Sequence, residues 1–290
     1  MPELCTDAMQ VRVDAMRGGK LTSLRDLRSG REWLLPPNQQ LGTPAGYGAS
    51  FVETELSGWD EMVPTIVACR IAGPTTPVAL PDHGELWSVA WETIVADEQR
   101  ITMLGVGRAL PYSLERTISI AQHDRLNCSY RLHNHGGSPF PILWAAHPQL
   151  VWRPGSRVEL PADVAHVLDV TSWPEPRSVR WDEVLATRLD HLQDGEGHKI
   201  WTLPGQSPEW CRLRDPDNGA ITLRVDPSMV PYLGIWWDAK AYARVPVMAL
   251  EPSTGHYDNL AAAAAAGRVP WLQPGAELRW DLAVELTPGD

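Results

Sequence analysis

The segment Leu278-Arg-Trp-Asp-Leu-Ala-Val-Glu-Leu286 alternates apolar residues with polar or small ones along its whole length. A period of two places the apolar side chains on one face of a strand, so the segment predicts a half-buried β-strand. Similar alternating or β-rich runs recur through the chain and predict further strands at 10–13, 101–106, 113–120, 126–132, 142–146, 157–160, 199–203, 220–225 and 232–237.

Turn signals separate these runs at short intervals, and helical signals are few. Asn134-His-Gly-Gly and Asp217-Asn-Gly are typical of turns, and 26 prolines and 23 glycines spread through the chain favour many short strands. Two short helices are predicted, an amphipathic one over 181–192 and an alanine-rich one over 261–266 closed by Gly267. We therefore predict one all-β domain over residues 1–290, built of large antiparallel sheets with few short helices.

The charge and cysteine pattern exclude several classes of function. The chain has 36 acidic and 25 basic residues, a formal charge of -11, which disfavours nucleic acid and anionic membranes as partners. Its four cysteines form no Cys-x-x-Cys pair, so neither a disulfide framework nor a zinc site is predicted. No nucleotide-binding spacing accompanies the candidate site residues, so no cofactor is predicted. The N-terminus lacks signal-peptide features and no run of 18 apolar residues occurs, so a cytoplasmic protein is predicted.

Three short segments carry candidate acid and base groups. They are Leu80-Pro-Asp-His-Gly-Glu-Leu-Trp87, Ala146-His-Pro-Gln-Leu150 and Leu250-Glu-Pro-Ser-Thr-Gly255. Together they offer two histidines and a carboxylate beside prolines or glycines, a set suited to proton transfer on a neutral polar ligand. A sugar would be such a ligand, and indole faces, of which the chain's 14 tryptophans offer many, stack on sugar rings, although any single tryptophan is more often a core residue.

These segments, with Gly58-Trp-Asp-Glu-Met-Val-Pro-Thr-Ile66 and Tyr232-Leu-Gly-Ile-Trp-Trp237, resemble the aldose 1-epimerase (galactose mutarotase-like) superfamily, especially its divergent bacterial members. Nearly the whole chain is covered, and the order and spacing of the motifs carry the resemblance, since no single tripeptide is diagnostic. The resemblance implies a β-supersandwich with a sugar cleft across one sheet. It also implies an isomerase of carbohydrate metabolism that interconverts the α and β anomers of a free aldose.

The resemblance assigns roles to three residues. Glu251 matches the base that removes the proton of the anomeric hydroxyl, His147 the acid that protonates the ring oxygen, and His83 a second histidine that orients the sugar. These residue types suit an acid and a base that work near neutral pH, because the unperturbed pKa is ~6.5 for His and ~4.3 for Glu. Each has a structural alternative: Glu251 could cap a turn, His147 could be a core histidine, and His83 could serve the turn at Asp82-His-Gly84.

The chain departs from the family pattern at two places. Classical members carry an early Asn-Arg pair that binds the sugar, where this chain has Asp60 and Glu61. Lys199 stands near the position of a sugar-binding aspartate, and a lysine donates hydrogen bonds where an aspartate accepts them. We predict that these three residues bind the sugar, with its identity changed accordingly.

Trp87, Trp236 and Asp238 complete the predicted substrate-binding set. Trp236 and Trp237 are adjacent on a predicted strand and face opposite ways, so at most one of the pair lines the cleft. The predicted ligand is a monosaccharide or related carbohydrate. A sugar phosphate is the less expected ligand, since the chain has only three lysines and no basic cluster in these segments. Either a monomer or a homodimer is compatible with the sequence.

Rival functions remain open to different degrees. A metal-dependent cupin would use paired histidines, but His133-Asn-His135 lacks the following glutamate and predicts a hairpin turn, so no metal site is predicted. No Gly-x-Ser-x-Gly motif supports a serine hydrolase. A retaining glycosidase would need Asp60 or Glu61 close to Glu251. A non-catalytic sugar-binding or regulatory protein of the same fold is the stronger alternative, because Lys199 and the Asp60 and Glu61 pair depart from the pattern.

Overall fold

A computed structural model describes residues 1–38, 44–54, 56–73, 76–122, 124–171 and 175–289. The helices in these ranges are short, namely α1 (Glu183–Ala186), α2 (Leu260–Ala265) and the 3-10 helices Ala15–Arg17, Phe51–Glu53 and Arg188–His191. None of the helices in these ranges is long and apolar enough to cross a membrane. The strands are β1 (Glu3–Cys5), β2 (Met9–Asp14), β3 (Lys20–Asp26), β4 (Trp59–Met62), β5 (Cys69–Ile71), β6 (Val78–Leu80), β7 (Glu92–Ala96), β8 (Arg100–Val106), β9 (Tyr112–Gln122), β10 (Arg125–Asn134), β11 (Phe140–Pro141), β12 (Ala145–Pro148), β13 (Leu150–Val151), β14 (Arg157–Glu159), β15 (His166–Asp169), β16 (Arg177–Arg180), β17 (Glu196–Thr202), β18 (Trp210–Arg214), β19 (Ala220–Val225), β20 (Tyr232–Ala239), β21 (Val247–Ser253), β22 (Trp271–Leu272) and β23 (Glu277–Thr287).

Two large antiparallel sheets account for most of these strands. The first, which we call the cleft sheet, has the order β1-β2-β3-β4-β12-β21-β20-β17-β15-β16, with β13 also paired to β21. The second, the back sheet, has the order β14-β18-β19-β23-β10-β9-β8-β7. Two small ribbons, β5-β6 and β11-β22, lie outside them. The predicted all-β class with large antiparallel sheets is confirmed.

The core lies between the two sheets and follows from the period-two pattern of their strands. In β23, Trp280, Leu282, Val284 and Leu286 are all buried, as the alternation in this segment predicts. Apolar side chains of both sheets join in one cluster. Burying a side chain such as Leu contributes about 1.5–3 kcal/mol, so this shared layer is the main force that holds the sheets together.

The apolar run 142–146 does not form one strand, so the prediction there is wrong in part. Its backbone amides bond to three separate segments: Ile142 N–H to Pro270 O at 3.1 Å, Leu143 N–H to Pro64 O at 3.1 Å, and Trp144 N–H to the Thr254 hydroxyl at 2.9 Å. Ladder pairing begins only with β12, which lies between β4 and β21. The segment thus satisfies its buried polar groups without a ladder.

The predicted helix over 181–192 is broken into α1 and a 3-10 turn. The break falls at Thr187, which has φ -108° and ψ 24°, and the Thr187 hydroxyl donates to Glu183 O at 2.8 Å. A threonine that bonds back to the preceding turn competes with regular helix, which explains why the amphipathic pattern alone overestimates its length. The alanine-rich helix α2 lies where the sequence predicts it.

Candidate active site

A cavity of about 220 Å³ opens on the face of the cleft sheet that points away from the back sheet. The direction follows from Glu61, which bonds to Arg116 of β9 and Tyr130 of β10 and therefore points toward the back sheet. Side chains one residue along a strand point the other way. The walls of the cavity include His83, His147, Lys199, Trp236, Glu251, Asp258, Phe51, Leu56 and Met62.

The register of four strands brings the polar side chains together. Ala145 of β12 pairs with Ser253 of β21, and two residues along both strands lie His147 and Glu251. Lys199 of β17 pairs directly with Trp236 of β20. Paired residues and their alternate neighbours share one face, so His147, Glu251, Lys199 and Trp236 all project from the same side of the sheet.

Gly234 leaves room for the carboxylate at the centre of this face. It pairs with Glu251, and a Cβ there would lie 3.0 Å from Glu251 Oε2 and 3.0 Å from the Trp201 ring. Both distances are shorter than ordinary contacts. A side chain at residue 234 would therefore push the carboxylate out of position.

Glu251 presents one occupied and one free oxygen. Its side chain is 1 % exposed, and Oε2 accepts a hydrogen bond from Lys199 Nζ. Oε1 has no hydrogen-bond partner in the described part of the chain and lies 3.7 Å from His147 Nε2. Burial raises the pKa of Glu251, and the Lys199 ammonium opposes that rise. The free oxygen is placed to accept a proton.

His147 is buried beside that oxygen. The Gln149 side-chain amide lies 3.3 Å from His147 Nδ1, so Nε2 is the ring nitrogen that faces Glu251. Burial lowers the pKa of His147 well below its ordinary value, and the neighbouring His83 and Lys199 side chains act in the same direction. The imidazolium form is therefore a minor but strongly acidic species.

His83 combines a turn position with a place in the cavity wall. Its φ of 56° is left-handed, and Gly84 after it also has a positive φ. The His83 ring stacks on Phe51 at 3.9 Å, and its Nδ1 lies 3.0 Å from Asp82 Oδ2. The His83 and His147 rings are 5.4 Å apart, so the turn delivers a second imidazole to the cavity.

Lys199 and Asp258 form an ionic group with Glu251. Lys199 Nζ lies 3.4 Å from Asp258 Oδ1 and 5.3 Å from the centre of the Trp201 ring. Burial lowers the pKa of Lys199, but the carboxylates of Asp258 and Glu251 outweigh burial and raise it above its ordinary value. Asp258 is not among the site residues predicted from the sequence. A carboxylate seven residues after the Glu-Pro motif was a signal, but its position depends on how the chain turns after β21.

Two of the predicted binding residues lie beneath the surface. Asp60 pairs with His147 across neighbouring strands and points to the same face of the sheet. However, Asp60 is fully buried, and its Oδ2 lies 2.9 Å from Lys20 Nζ. Glu61 points the other way, into the core between the sheets, where Arg116 Nη1 donates to it at 2.7 Å. Neither carboxylate lines the cavity, and both contacts are those of a buried ion pair.

Of the other three predicted residues, Trp236 lines the cavity, whereas Trp87 and Asp238 contact residues that line it. Trp236 lines the cavity, whereas its neighbour Trp237 is completely buried on the opposite face. Trp87 is 5 % exposed and packs edge-on against Phe51 behind the wall. Asp238 accepts the backbone N–H groups of residues 241–243 and so caps the turn that carries the Tyr242 side chain to the cavity.

The histidine pair 133 and 135 lies away from this cavity. Their rings are 4.2 Å apart, and His135 Nε2 is 2.7 Å from the Ser113 hydroxyl. Across the described ranges, no group of three or more His, Cys, Asp or Glu side chains is arranged to hold a metal ion.

The chain is similar to several solved structures over its whole length. The Slr1438 protein of Synechocystis sp. PCC 6803 is 17 % identical with a TM-score of 0.76, covering 98 % of this chain and 94 % of that one. An Escherichia coli K12 protein provisionally named an aldose 1-epimerase is 14 % identical with a TM-score of 0.75, covering 99 % and 98 %. A galactose mutarotase related enzyme from Lactobacillus acidophilus is 13 % identical with a TM-score of 0.72, covering 100 % and 98 %.

No family model matches the chain, and no curated protein matches it. The structural likenesses, at these low identities, show the fold. The chain has the galactose mutarotase-like fold that its motifs predict.

Proposed function

We propose that this protein is an aldose 1-epimerase, which interconverts the α and β anomers of a free aldose. The observation that carries the proposal is the free oxygen Oε1 of Glu251, buried in the cavity and 3.7 Å from His147 Nε2. A base and an acid that converge on one small space are what the opening of a hemiacetal ring requires.

The proposed reaction moves two protons. Glu251 Oε1 takes the proton from the anomeric hydroxyl, C1=O forms, the bond from C1 to the ring oxygen breaks, and the ring oxygen takes the Nε2 proton of the His147 imidazolium. The open-chain aldehyde then lies between a neutral His147 and a protonated Glu251. Rotation about C1–C2 and the reverse transfers close the ring as the other anomer.

Burial of Glu251 and His147 favours the ring-opened intermediate of the proposed reaction. It raises the pKa of Glu251 and lowers the pKa of His147, so both groups are stabilised in their uncharged forms. Those are the forms that accompany the open-chain aldehyde. The buried pair therefore lowers the energy of the ring-opened intermediate relative to the charged starting pair.

The direct test is a mutarotation assay with uncharged aldoses. Freshly dissolved α-D-glucose, α-D-galactose and other α-aldoses are followed by polarimetry, with and without the protein. The expected result is a rate that rises in proportion to protein concentration for at least one sugar. If no uncharged aldose is accelerated by a folded sample, the proposal fails.

The charge of the cavity predicts that the sugar is not phosphorylated. Its walls carry the carboxylates of Glu251 and Asp258 against the single ammonium of Lys199, and no other lysine or arginine lines it among the described residues. The segments outside the described ranges contain neither residue type. A phosphate dianion would thus meet two carboxylates and only one ammonium, so we expect kcat/KM for glucose 6-phosphate to be at least about tenfold below that for the best neutral aldose. A preference for the phosphate in the same assay would contradict this charge argument.

A second candidate function is non-catalytic sugar binding or regulation. The observation that favours it is the contact between Lys199 and Glu251 Oε2, because an ion-paired carboxylate is a weaker base. Saturation-transfer NMR separates the two functions. Binding of an aldose without accelerated mutarotation indicates the binding protein.

A further inference from the structure

We propose that Lys199 is a positioning residue that keeps Glu251 ionised and aims its free oxygen into the cavity. The inference rests on the proposed role of Glu251 as the base. It assigns Lys199 to the carboxylate, whereas the sequence suggested a direct contact with the sugar. The residues that carry it come from three places in the fold: strand β17, strand β21 and the segment after β21.

The contacts of Lys199 fix the rotation of the Glu251 carboxylate. Its ammonium bonds to Oε2 and reaches Asp258 Oδ1 at 3.4 Å, so it bridges the two carboxylates. With Oε2 held in this way, Oε1 is left toward His147 at 3.7 Å. The lysine therefore decides which oxygen is available to a ligand.

The position of the lysine is itself well defined. The Lys199 backbone N–H donates to the Thr171 hydroxyl at 2.9 Å, and its carbonyl accepts from Val170 N–H at 3.1 Å. The ammonium lies over the fully buried Trp201 ring, which also borders the Glu251 carboxylate through the space left by Gly234. A side chain held on a strand and packed over an indole can orient its partner.

The charges around Glu251 decide whether the Lys199 ammonium favours the ionised or the protonated carboxyl group. Lys199 is the cation in direct contact, Asp258 is a like charge, His147 and His83 face the same cavity, and the Lys20–Asp60 pair lies below His147. Lys199 also opposes the imidazolium of His147. However, the ammonium bonds directly to Glu251, whereas it acts on His147 through its charge alone, and Coulomb interactions weaken with distance, so its effect on the carboxylate dominates.

Loss of the ammonium should therefore move the Glu251 titration upward. Burial and Asp258 would then both favour the protonated carboxyl, with no cation in contact to oppose them. A cation within ~4–6 Å typically lowers a carboxyl pKa by about 1–3 units. We expect Lys199→Met to raise the Glu251 midpoint by about one unit or more.

The test is an NMR titration of the protein labelled with 13Cδ-glutamate. The Glu251 signal is identified by its absence in Glu251→Gln. Lys199→Arg, which keeps the charge, is expected to leave the midpoint close to that of the wild type. The matched control is Lys240→Met, because Lys240 pairs with Asp194 at 2.8 Å on the exposed surface at the end of β20 and should not affect Glu251.

Kinetics give a second readout. We expect kcat at neutral pH to fall in Lys199→Met, by up to about tenfold for each unit by which the Glu251 midpoint exceeds the assay pH, with a smaller change in KM, and to recover in Lys199→Arg. A Glu251 midpoint that does not move in folded Lys199→Met overturns the inference, and Lys199→Gln carries the same measurement if the Met variant does not fold. If the wild type accelerates no sugar, the proposed function fails, but the titration still decides the role of Lys199.

Discussion

Glu251→Gln is expected to slow mutarotation by about a hundredfold or more while the protein stays folded. The amide has nearly the shape of the carboxylate and can still accept from Lys199, but it cannot take the proton of the anomeric hydroxyl. Loss of a positioned base typically costs about 10²–10⁴ in rate. The measurement is polarimetric kcat for the best aldose, with circular dichroism to confirm the fold and saturation-transfer NMR to confirm that the sugar still binds.

Glu277→Gln is the matched control for this experiment. Glu277 begins β23 on the back sheet and pairs with Arg279 at 2.6 Å on the surface, so the same chemical change there should leave kcat unaltered. A folded Glu251→Gln protein with a rate near that of the wild type would remove Glu251 as the base. In that case the free oxygen beside His147 would be a binding group only.

The sequence predicted the class of the fold because β-strands leave a local signature. The alternation in β23 appears in its burial, and the cleft and back sheets contain most of the predicted strands. The failures have nonlocal causes. The run 142–146 bonds to three distant segments, and the helix over 181–192 breaks where the Thr187 side chain bonds to the backbone. An apolar pattern identifies neither the distant segments that bond to 142–146 nor the bond made by the Thr187 hydroxyl.

The sequence predicted which residues form the candidate site better than it predicted which of them contact one another. Glu251 and His147 stand beside prolines in apolar strands, so their motifs were visible, and the structure brings the two side chains together. The partner of Lys199 was not visible, because it depends on the register between β17, β20 and β21. Asp60 and Glu61 show the same limit, since adjacent strand residues face opposite sides and the sequence does not say which side forms the cavity.

Glu61→Gln is expected to lower the free energy of unfolding by about 3 kcal/mol or more. Glu61 Oε1 accepts from Arg116 Nη1 at 2.7 Å and from the Tyr130 hydroxyl at 3.0 Å, and Oε2 accepts from Trp144 Nε1 at 2.6 Å. All three partners are donors, so the amide nitrogen of Gln would face a donor in either orientation. Removing one partner of a buried ion pair typically costs about 3–5 kcal/mol, since the other charge is left in the core.

Urea unfolding of wild type, Glu61→Gln and Glu115→Gln measures this cost against a neighbouring surface pair. Glu115 precedes Arg116 on β9, and its partner Arg131, at 2.8 Å, is 40 % exposed, so its loss should cost less than about 1 kcal/mol. Burial raises the pKa of Glu61, and the three donors, Arg116 first among them, oppose that rise. A Glu61→Gln protein as stable as the wild type but with weakened sugar binding would instead support the contact with the ligand that the sequence motif suggested. A large loss of stability with unchanged affinity would place Glu61 among the residues that join the two sheets.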